Sequence, residues 1–479
     1  MAGYRFRAMD RPDIARLATM RGFLALALPL AAGFGVNWAM QFTNRLFLSW
    51  YSPDALAASL PAGMLVYTMQ AFFTVSVGYV GAFAAQHLGA DEPEEAGAMA
   101  WPMLWLAVTA GVLALAVIPF SASIFRLYGA EPAVTSDMTT LGAWYLAETL
   151  PAVVFSGLCG WFGGIGRSRL VLLFSLAVCV LSVLLNRWLI FGGLGVPALG
   201  LHGAGLATLL ATTAGMIAAL AVFFAPAQRQ RFATWRQRNA DLGRCLRFCR
   251  AALPRGATEA LEMMSVVLFT VAIAHLGSES LAANNLAFSF YLVFLIPLIG
   301  LGQGVTIAVG QAVGAERIDI AQAVARRATV VVLSVLAVAA VAFLLFPQVL
   351  LRTHVDIDPH DPVGSAARWE RIIAQAVPLL AIAVAMSIAD GLHIVWRFAV
   401  QGAGDTRWPL VVLTSAAFFA LAVPALLVTR VVPLEWWQGV GLAPLTACWL
   451  LFAAYLWLIA SLMCWRYRRG PWRTMSLRE

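Results

Sequence analysis

Twelve long apolar stretches dominate this chain and restrict it to one class of fold. A helix that crosses about 30 Å of hydrocarbon needs about 20 apolar residues, and each stretch reaches that length. Charged residues make up 12% of the chain, against about 25% in soluble domains, so no segment is polar enough to form one. We predict an all-α integral membrane protein with spans at 22–50, 56–84, 98–127, 137–163, 169–193, 200–225, 250–276, 280–311, 319–351, 370–402, 407–432 and 437–466.

The second half of the chain repeats the first half. Leu28-Pro29 recurs 225 residues later as Leu253-Pro254, and Gln86 recurs at the same offset as Gln311. Later motifs recur at an offset of 238, and the 13 extra residues are explained by one longer loop at 352–369. Because each half has an even number of spans, both repeats begin on the same side of the membrane and are parallel.

The repeat predicts two six-helix lobes, 22–225 and 250–466, that face each other across a central cleft. The formal net charge is +8 and every basic residue is Arg. These Arg residues crowd three segments that twelve spans place on one side, as in cytoplasmic loops. We therefore predict no nucleic-acid partner. We also predict a cytoplasmic N-terminal segment 1–21, a basic cytoplasmic linker 226–249 and a cytoplasmic tail 467–479.

Acidic side chains inside apolar spans are the candidates for chemistry, because each costs about 2.5–3.5 kcal/mol on insertion scales. A carboxylate that faces the interior of a helix bundle binds a cation or takes up a proton. Such a group couples transport to an ion gradient when the ion and the substrate compete for it. Those that lie well within the predicted spans are Glu148, Glu259, Glu262 and Asp390.

Some of these acids have candidate partners on their own helix. Arg255 precedes Glu259 by four residues, which predicts an internal ion pair. Asp390 has His393 one turn later and Arg397 two turns later, so either side chain is a candidate partner. An internal pair would be structural and would leave the carboxylate unavailable for coupling.

The other two acids are less constrained. No basic residue lies within a helical turn of Glu262, so it is the strongest candidate for an unpaired carboxylate. Glu148 either lines the cleft or pairs with Arg187, and the sequence leaves both alternatives open.

The remaining polar clusters favour neither a catalytic site nor a metal site. Two His and three Asp alternate in the long loop, and a solvated loop is favoured over a metal site there. The six Cys lack the spacings of zinc or disulfide frameworks. We predict no catalytic residue, no bound metal and no cofactor beyond a coupling ion. The loop residues concerned are His354, Asp356, Asp358, His360 and Asp361.

Several motifs together resemble one transporter family. They are Gly163-Gly164-Ile165-Gly166-Arg167-Ser168-Arg169, Leu185-Asn186-Arg187-Trp188-Leu189-Ile190-Phe191-Gly192 and Gln401-Gly402-Ala403-Gly404-Asp405-Thr406-Arg407. With them, the chain from about residue 20 to 465 resembles the MATE family of multidrug and toxic compound extrusion transporters. The resemblance implies two lobes of six helices and cation-driven export of amphipathic, often cationic compounds. We accordingly expect a monomeric, multi-pass protein of the bacterial inner membrane, in contact with membrane lipid and a small organic substrate.

The resemblance also implies where the coupling ion binds. In the family a helix 7 Glu follows a Pro by eight residues, as Glu262 follows Pro254 here. A helix 10 Asp precedes the Asp of a Gly-x-x-Asp turn by fifteen residues, as Asp390 precedes Asp405. Glu262 and Asp390 are therefore the predicted cation or proton site, and their residue types do not decide between Na⁺ and H⁺.

The first lobe departs from the family pattern. Many members carry an Asp on helix 1 where this chain has Asn44, and the helix 5 site falls on Ser182 and Asn186. An amide can hydrogen-bond but cannot titrate, so coupling is expected in the second lobe.

The predicted function is a secondary active antiporter that works by alternating access. A lipid-linked or polyisoprenoid flippase of the same superfamily is the alternative, since Arg45, Arg187 and Arg397 would suit a cleft rich in Arg. An integral-membrane enzyme is a third alternative, and it would need an acid–base or metal cluster near an interface.

Overall fold

The computed structural model describes residues 14–126, 132–193, 195–236, 238, 241–353, 362–432, 437 and 441–478. Within these ranges twelve helices are long and apolar enough to cross a membrane, and the only β-structure is one isolated bridge. The predicted all-α architecture is confirmed. We number the spans α1 Met20–Tyr51, α2 Pro61–Gly89, α3 Pro93–Arg126, α4 Pro132–Gly164, α5 Ser168–Phe191, α6 Gly200–Phe223, α7 Leu242–Ala274, α8 Ser278–Gly314, α9 Ile318–Leu345, α10 Val363–Ala403, α11 Arg407–Arg430 and α12 Pro444–Arg469.

The helix α7 begins at Leu242, eight residues before the predicted span 250–276 and within the segment 226–249. Asp241 starts this helix early: its Oδ1 accepts a hydrogen bond of 2.8 Å from the backbone N–H of Gly243. A side-chain acceptor at this position satisfies an N–H that lacks a partner in the first turn. Part of the remaining linker forms the short helix Pro226–Phe232.

The repeated glutamines join the two halves at the end that carries the basic segments. Gln86 Nε2 donates to the carbonyl oxygen of Gly402 over 2.9 Å. Gln311 Nε2 donates to the carbonyl oxygen of Gly164 over 3.0 Å. Each hydrogen bond crosses from one half to the other, so the duplicated residues lock the lobes together by reciprocal contacts.

Small residues let these two segments approach closely. A Cβ atom on Gly89 would overlap the backbone oxygen of Gln311, and one on Gly314 would overlap the backbone oxygen of Gln86. Close backbone packing at small residues is a common way for membrane helices to associate. The lobes are thus tightly closed against each other at this end.

The segment that follows α12 packs against the contact between the two lobes described above. Trp472, in the short helix Pro471–Thr474, is fully buried. The backbone N–H of Leu477 donates to Gln86 Oε1 over 2.8 Å. The tail that follows α12 therefore contacts a residue of the first lobe as well as the second.

Candidate functional site

Charged residues of the second lobe meet where α7 packs near α10. On α7 the side chains of Glu259 and Glu262 are three residues apart and share one helix face. On α10 the side chains of Asp390, His393 and Arg397 follow at intervals of three and four residues, which also places them on one face. The structure brings these two polar faces together, since Arg397 of α10 contacts both Glu259 and Glu262 of α7.

Glu262 is not the unpaired carboxylate that its sequence neighbours suggest. Its Oε2 accepts a hydrogen bond from Arg397 Nη1 over 2.5 Å, and the Arg397 side chain is 4% exposed. The prediction was wrong because it considered partners on the same helix, whereas this partner lies 135 residues away on α10. The guanidinium carbon of Arg397 also lies over the ring of Phe398, 5.1 Å from the ring centroid.

Glu259 is paired with Arg255, as their spacing predicts. Arg255 Nη1 donates to Glu259 Oε2 over 2.9 Å, and Arg397 lies 3.7 Å from the same oxygen. Two Arg and two Glu therefore form one buried network in which formal charges cancel. Glu262 belongs to this compensated set.

Asp390 lies beside this network with different partners. Its Oδ2 accepts a hydrogen bond of 2.6 Å from the hydroxyl of Tyr291 on α8, and His393 Nδ1 lies 3.4 Å from its Oδ1. Arg397, one of its two predicted partners, is engaged by the glutamates instead. Asp390 thus has no hydrogen bond or ion pair to an Arg in the described parts of the chain, although it is 8% exposed.

Sequence reasoning missed Tyr291. The signal that could have found it is a Tyr in the middle of an apolar span, since a buried hydroxyl needs a hydrogen-bond partner. Tyr455 of α12 completes the surroundings, within electrostatic range of both Glu262 and Asp390.

The first lobe contains a polar cluster without charged side chains, in contrast to the charged cluster of the second lobe. Asn186 Nδ2 donates to Asn44 Oδ1 over 2.9 Å, and Ser182 Oγ donates to the same oxygen over 3.3 Å. Asn44 in turn donates to Thr208 Oγ1 over 3.5 Å. The helix 1 and helix 5 positions named by the resemblance therefore meet, but as a network of amides and hydroxyls.

Glu148 is separate from that network and from Arg187. Its Oε1 accepts a hydrogen bond of 2.9 Å from Thr212 Oγ1 on α6, whereas the guanidinium of Arg187 lies over the ring of Phe191 at 5.2 Å. Glu148 makes no ion pair with any residue in the described ranges, and Arg45 is exposed.

The His and Asp residues of the long loop lie outside the described residues, so the metal alternative there is untested. Among the residues that are described, no group of three or more His, Cys, Asp or Glu is arranged to hold a metal ion.

Two six-helix halves with a charged cluster buried between membrane spans define a polytopic membrane transporter of two-lobed architecture. The MatE family model matches residues 29–188 and 254–426, and the chain belongs to this family of multidrug-efflux transporters. It is a transporter and not an enzyme.

Comparison with individual relatives and solved structures agrees with this family assignment. The chain is 30% identical over 402 residues to a probable multidrug resistance protein NorM of Pseudomonas putida, covering 82% of this chain and 84% of the relative. A solved structure of a MATE transporter in complex with MaL6 superimposes with a TM-score of 0.83 at 18% identity, covering 97% of this chain and 100% of the other. The solved structure of an outward-facing multidrug resistance MATE transporter of the MOP superfamily superimposes with a TM-score of 0.81 at 19% identity, covering 95% of this chain and 97% of the other. These structures support the fold.

Proposed function

We propose that this transporter is a proton-driven antiporter that exports amphipathic, cationic organic compounds by alternating access. In this proposal the coupling proton binds Asp390, and the rest of the cluster keeps that carboxylate buried and available. The observation that carries the assignment is the division of partners: Arg397 is bonded to Glu262, and Asp390 is bonded to Tyr291.

The charge balance supports Asp390 over Glu262. Arg255 and Arg397 are offset by Glu259 and Glu262, so neutralising either glutamate would leave a buried Arg uncompensated, which is costly. Protonating Asp390 neutralises the carboxylate of the cluster that has no Arg partner within the described residues and is contacted by Tyr291 and His393. Proton uptake there is consequently the cheaper event inside an apolar bundle.

The groups that face Asp390 support a proton over Na⁺. Tyr291 of α8 offers one hydroxyl oxygen, His393 of α10 offers a nitrogen, and the carboxylate of Glu262 on α7 is bound to Arg397. A hard cation prefers several oxygen ligands. Tyr291 supplies the hydroxyl that donates to Asp390 over 2.6 Å, and His393 Nδ1 lies 3.4 Å from the other carboxylate oxygen, so both recorded partners suit a carboxyl that exchanges a proton.

Glu148 supports a cationic substrate. It is a half-buried carboxylate of the first lobe with only a hydroxyl partner, and an organic cation would supply the missing opposite charge. In this proposal the first lobe recognises the charge of the substrate and the second lobe binds the proton.

We propose an orientation in the bacterial inner membrane with both termini cytoplasmic, because the Arg-rich segments share one side. The state described here has that side closed. Each chain contains both lobes, so a monomer suffices for alternating access. The flippase alternative is less well supported, because Arg397 is compensated by Glu262 and Arg187 packs on an aromatic ring.

The test is transport of a fluorescent organic cation into inverted vesicles under an imposed H⁺ or Na⁺ gradient. We expect the H⁺ gradient to drive uptake in the wild type and Asp390→Asn to abolish it. The double variant E262Q/R397Q removes a matched pair of charges and should retain H⁺-driven flux. Full flux in D390N would refute the assignment of Asp390. Flux that follows only Na⁺ would refute proton coupling.

A further inference from the structure

A groove of about 510 Å³ lies between α10 and α12. On α12 its lining residues recur every three or four positions, so they form one continuous stripe along that helix. The stripe begins in the apolar middle of α12 and ends at the basic end. The lining residues are Leu392, Trp396, Trp457, Ala460, Ser461, Cys464, Trp465, Arg468 and Arg469.

Two positive charges lie at the basic end of the groove. Arg468 and Arg469 are exposed, and neither forms an ion pair with any acid in the described ranges. Arg466, only two residues earlier, is bonded to Asp405 over 2.7 Å. The end of α12 therefore carries one compensated Arg that holds the fold together and two uncompensated Arg that face the groove.

The walls of the groove offer further donors. The indole N–H groups of Trp396, Trp457 and Trp465 make no hydrogen bond to any acceptor among the residues the structure describes. An indole combines an apolar body with one donor, and it prefers places where one end is apolar and the other polar. The groove thus presents apolar surface, unused N–H donors and two guanidinium groups, and it lacks an acidic side chain.

The dimensions fit one lipid. Trp457 precedes Arg468 by eleven residues, or about 16 Å along the helix, close to the roughly 15 Å of one hydrocarbon leaflet. A phosphate at the Arg pair would place an acyl chain along the stripe as far as Trp457. The positive charge repels the cationic compounds of the proposed export function, so the groove does not suit them.

We propose that this groove binds an anionic phospholipid of the adjacent leaflet, with its phosphate at Arg468 and Arg469 and an acyl chain against Trp457. Bound there, the lipid would bridge α10 and α12 from outside. Since α10 also carries Asp390 and Arg397, the occupant would stabilise a helix of the charged cluster without touching it. The proposal does not depend on the substrate or the coupling ion.

The experiment compares phosphatidylglycerol with phosphatidylcholine on the purified full-length protein. Native mass spectrometry counts retained lipids, and thermal unfolding in mixed micelles measures stabilisation. We expect phosphatidylglycerol to be retained and to raise the unfolding midpoint, and phosphatidylcholine to do neither. In R468Q/R469Q the affinity should fall roughly 25-fold, about fivefold for each guanidinium lost.

Three controls keep the outcome decisive. The variant R229Q/R231Q removes two Arg of the short helix Pro226–Phe232 and should bind the lipid like the wild type. The variant W457A keeps both charges and should weaken binding through the acyl chain alone. Glycerol 3-phosphate should not raise the midpoint. Equal binding of the two lipids, equal loss in both Arg variants, or stabilisation by glycerol 3-phosphate would each overturn the proposal.

Discussion

Arg397 Nη1 lies 2.5 Å from Glu262 Oε2, although 135 residues separate them in the chain. Both side chains are largely buried, and the bond joins α10 to α7 within the second lobe. The pair holds Glu262 in a compensated state and leaves Asp390 as the carboxylate with no Arg partner in the described ranges. The ion pair and the proposed proton site therefore involve different acids of one cluster.

Removing Arg397 should destabilise the protein strongly. The variant R397Q leaves Glu262 buried without its partner, and breaking a buried ion pair in this way costs about 3–5 kcal/mol. We expect a large fall in the thermal unfolding midpoint in detergent and partial recovery in E262Q/R397Q. The exposed pair of Arg317 and Asp319 provides the control, since R317Q should leave the midpoint unchanged. A wild-type midpoint in R397Q would contradict the pairing.

Glu148 should select for positive charge in the substrate. The variant E148Q keeps the shape of the side chain and can still accept the hydrogen bond from Thr212, but it loses the charge. We expect roughly a tenfold rise in KM for cationic compounds, since a hydrogen bond to a charged group contributes about 1.5–3 kcal/mol. The KM for a neutral compound of similar size should not change. An equal rise for both compounds would point to a structural role for Glu148.

The glycine at position 314 should be required for closure at the basic end. In G314A the new Cβ overlaps the backbone oxygen of Gln86, which cannot move aside like a flexible side chain. We expect a wider separation between spin labels on E94C and R326C, measured by electron–electron double resonance. G35A is the matched control, because nothing lies within 4 Å of a Cβ at Gly35. Unchanged distances in G314A would show that the helices adjust without opening.

The C-terminal segment should leave its site at low pH. Burial raises the pKa of Glu92, but hydrogen bonds from His87 and Arg478 outweigh it and hold the pKa below its usual value. A carboxylate with a lowered pKa stabilises the fold above its unfolded pKa of about 4.3, and this contribution is lost as the pH falls through the folded pKa. Arg478 Nη2 lies 2.6 Å from Glu92 Oε1, so the tail contact should weaken on acidification.

Limited proteolysis of the purified protein measures this release. Cleavage after Trp472 should be slow near neutral pH, faster as the pH falls below the usual Glu pKa of about 4.3 and through the lower pKa of Glu92, and already fast near neutral pH in R478Q. The variant R473Q is the control, because Arg473 contacts the ring of Trp472 and a backbone oxygen but no carboxylate. If the cleavage rate of the wild type does not change with acidification, Glu92 does not hold the tail in place.

Much of the fold follows from local patterns. Each span is recognisable because about 20 apolar residues are needed wherever a helix crosses a bilayer. The early start of α7 was missed because its first turns are polar and rich in Arg, which hides a helix from a search for apolar runs.

The site was predicted less completely. The pair of Arg255 and Glu259 follows from a spacing of four residues on one helix. The partners of Glu262 and Asp390 come from other helices, and no spacing along the chain specifies them. The neutral network around Asn44 was predicted in part. The family resemblance named its residues, and only the packing of the helices shows that they are in contact.

The sequence by itself determined the number of spans, the duplication and the identity of the acids inside the membrane. These properties depend on composition and on periodicity within single helices. The tertiary structure alone decided that Arg397 bonds to Glu262 and that Tyr291 bonds to Asp390. Which faces meet depends on how each helix is rotated and packed against its neighbours, and that is set by the whole bundle at once.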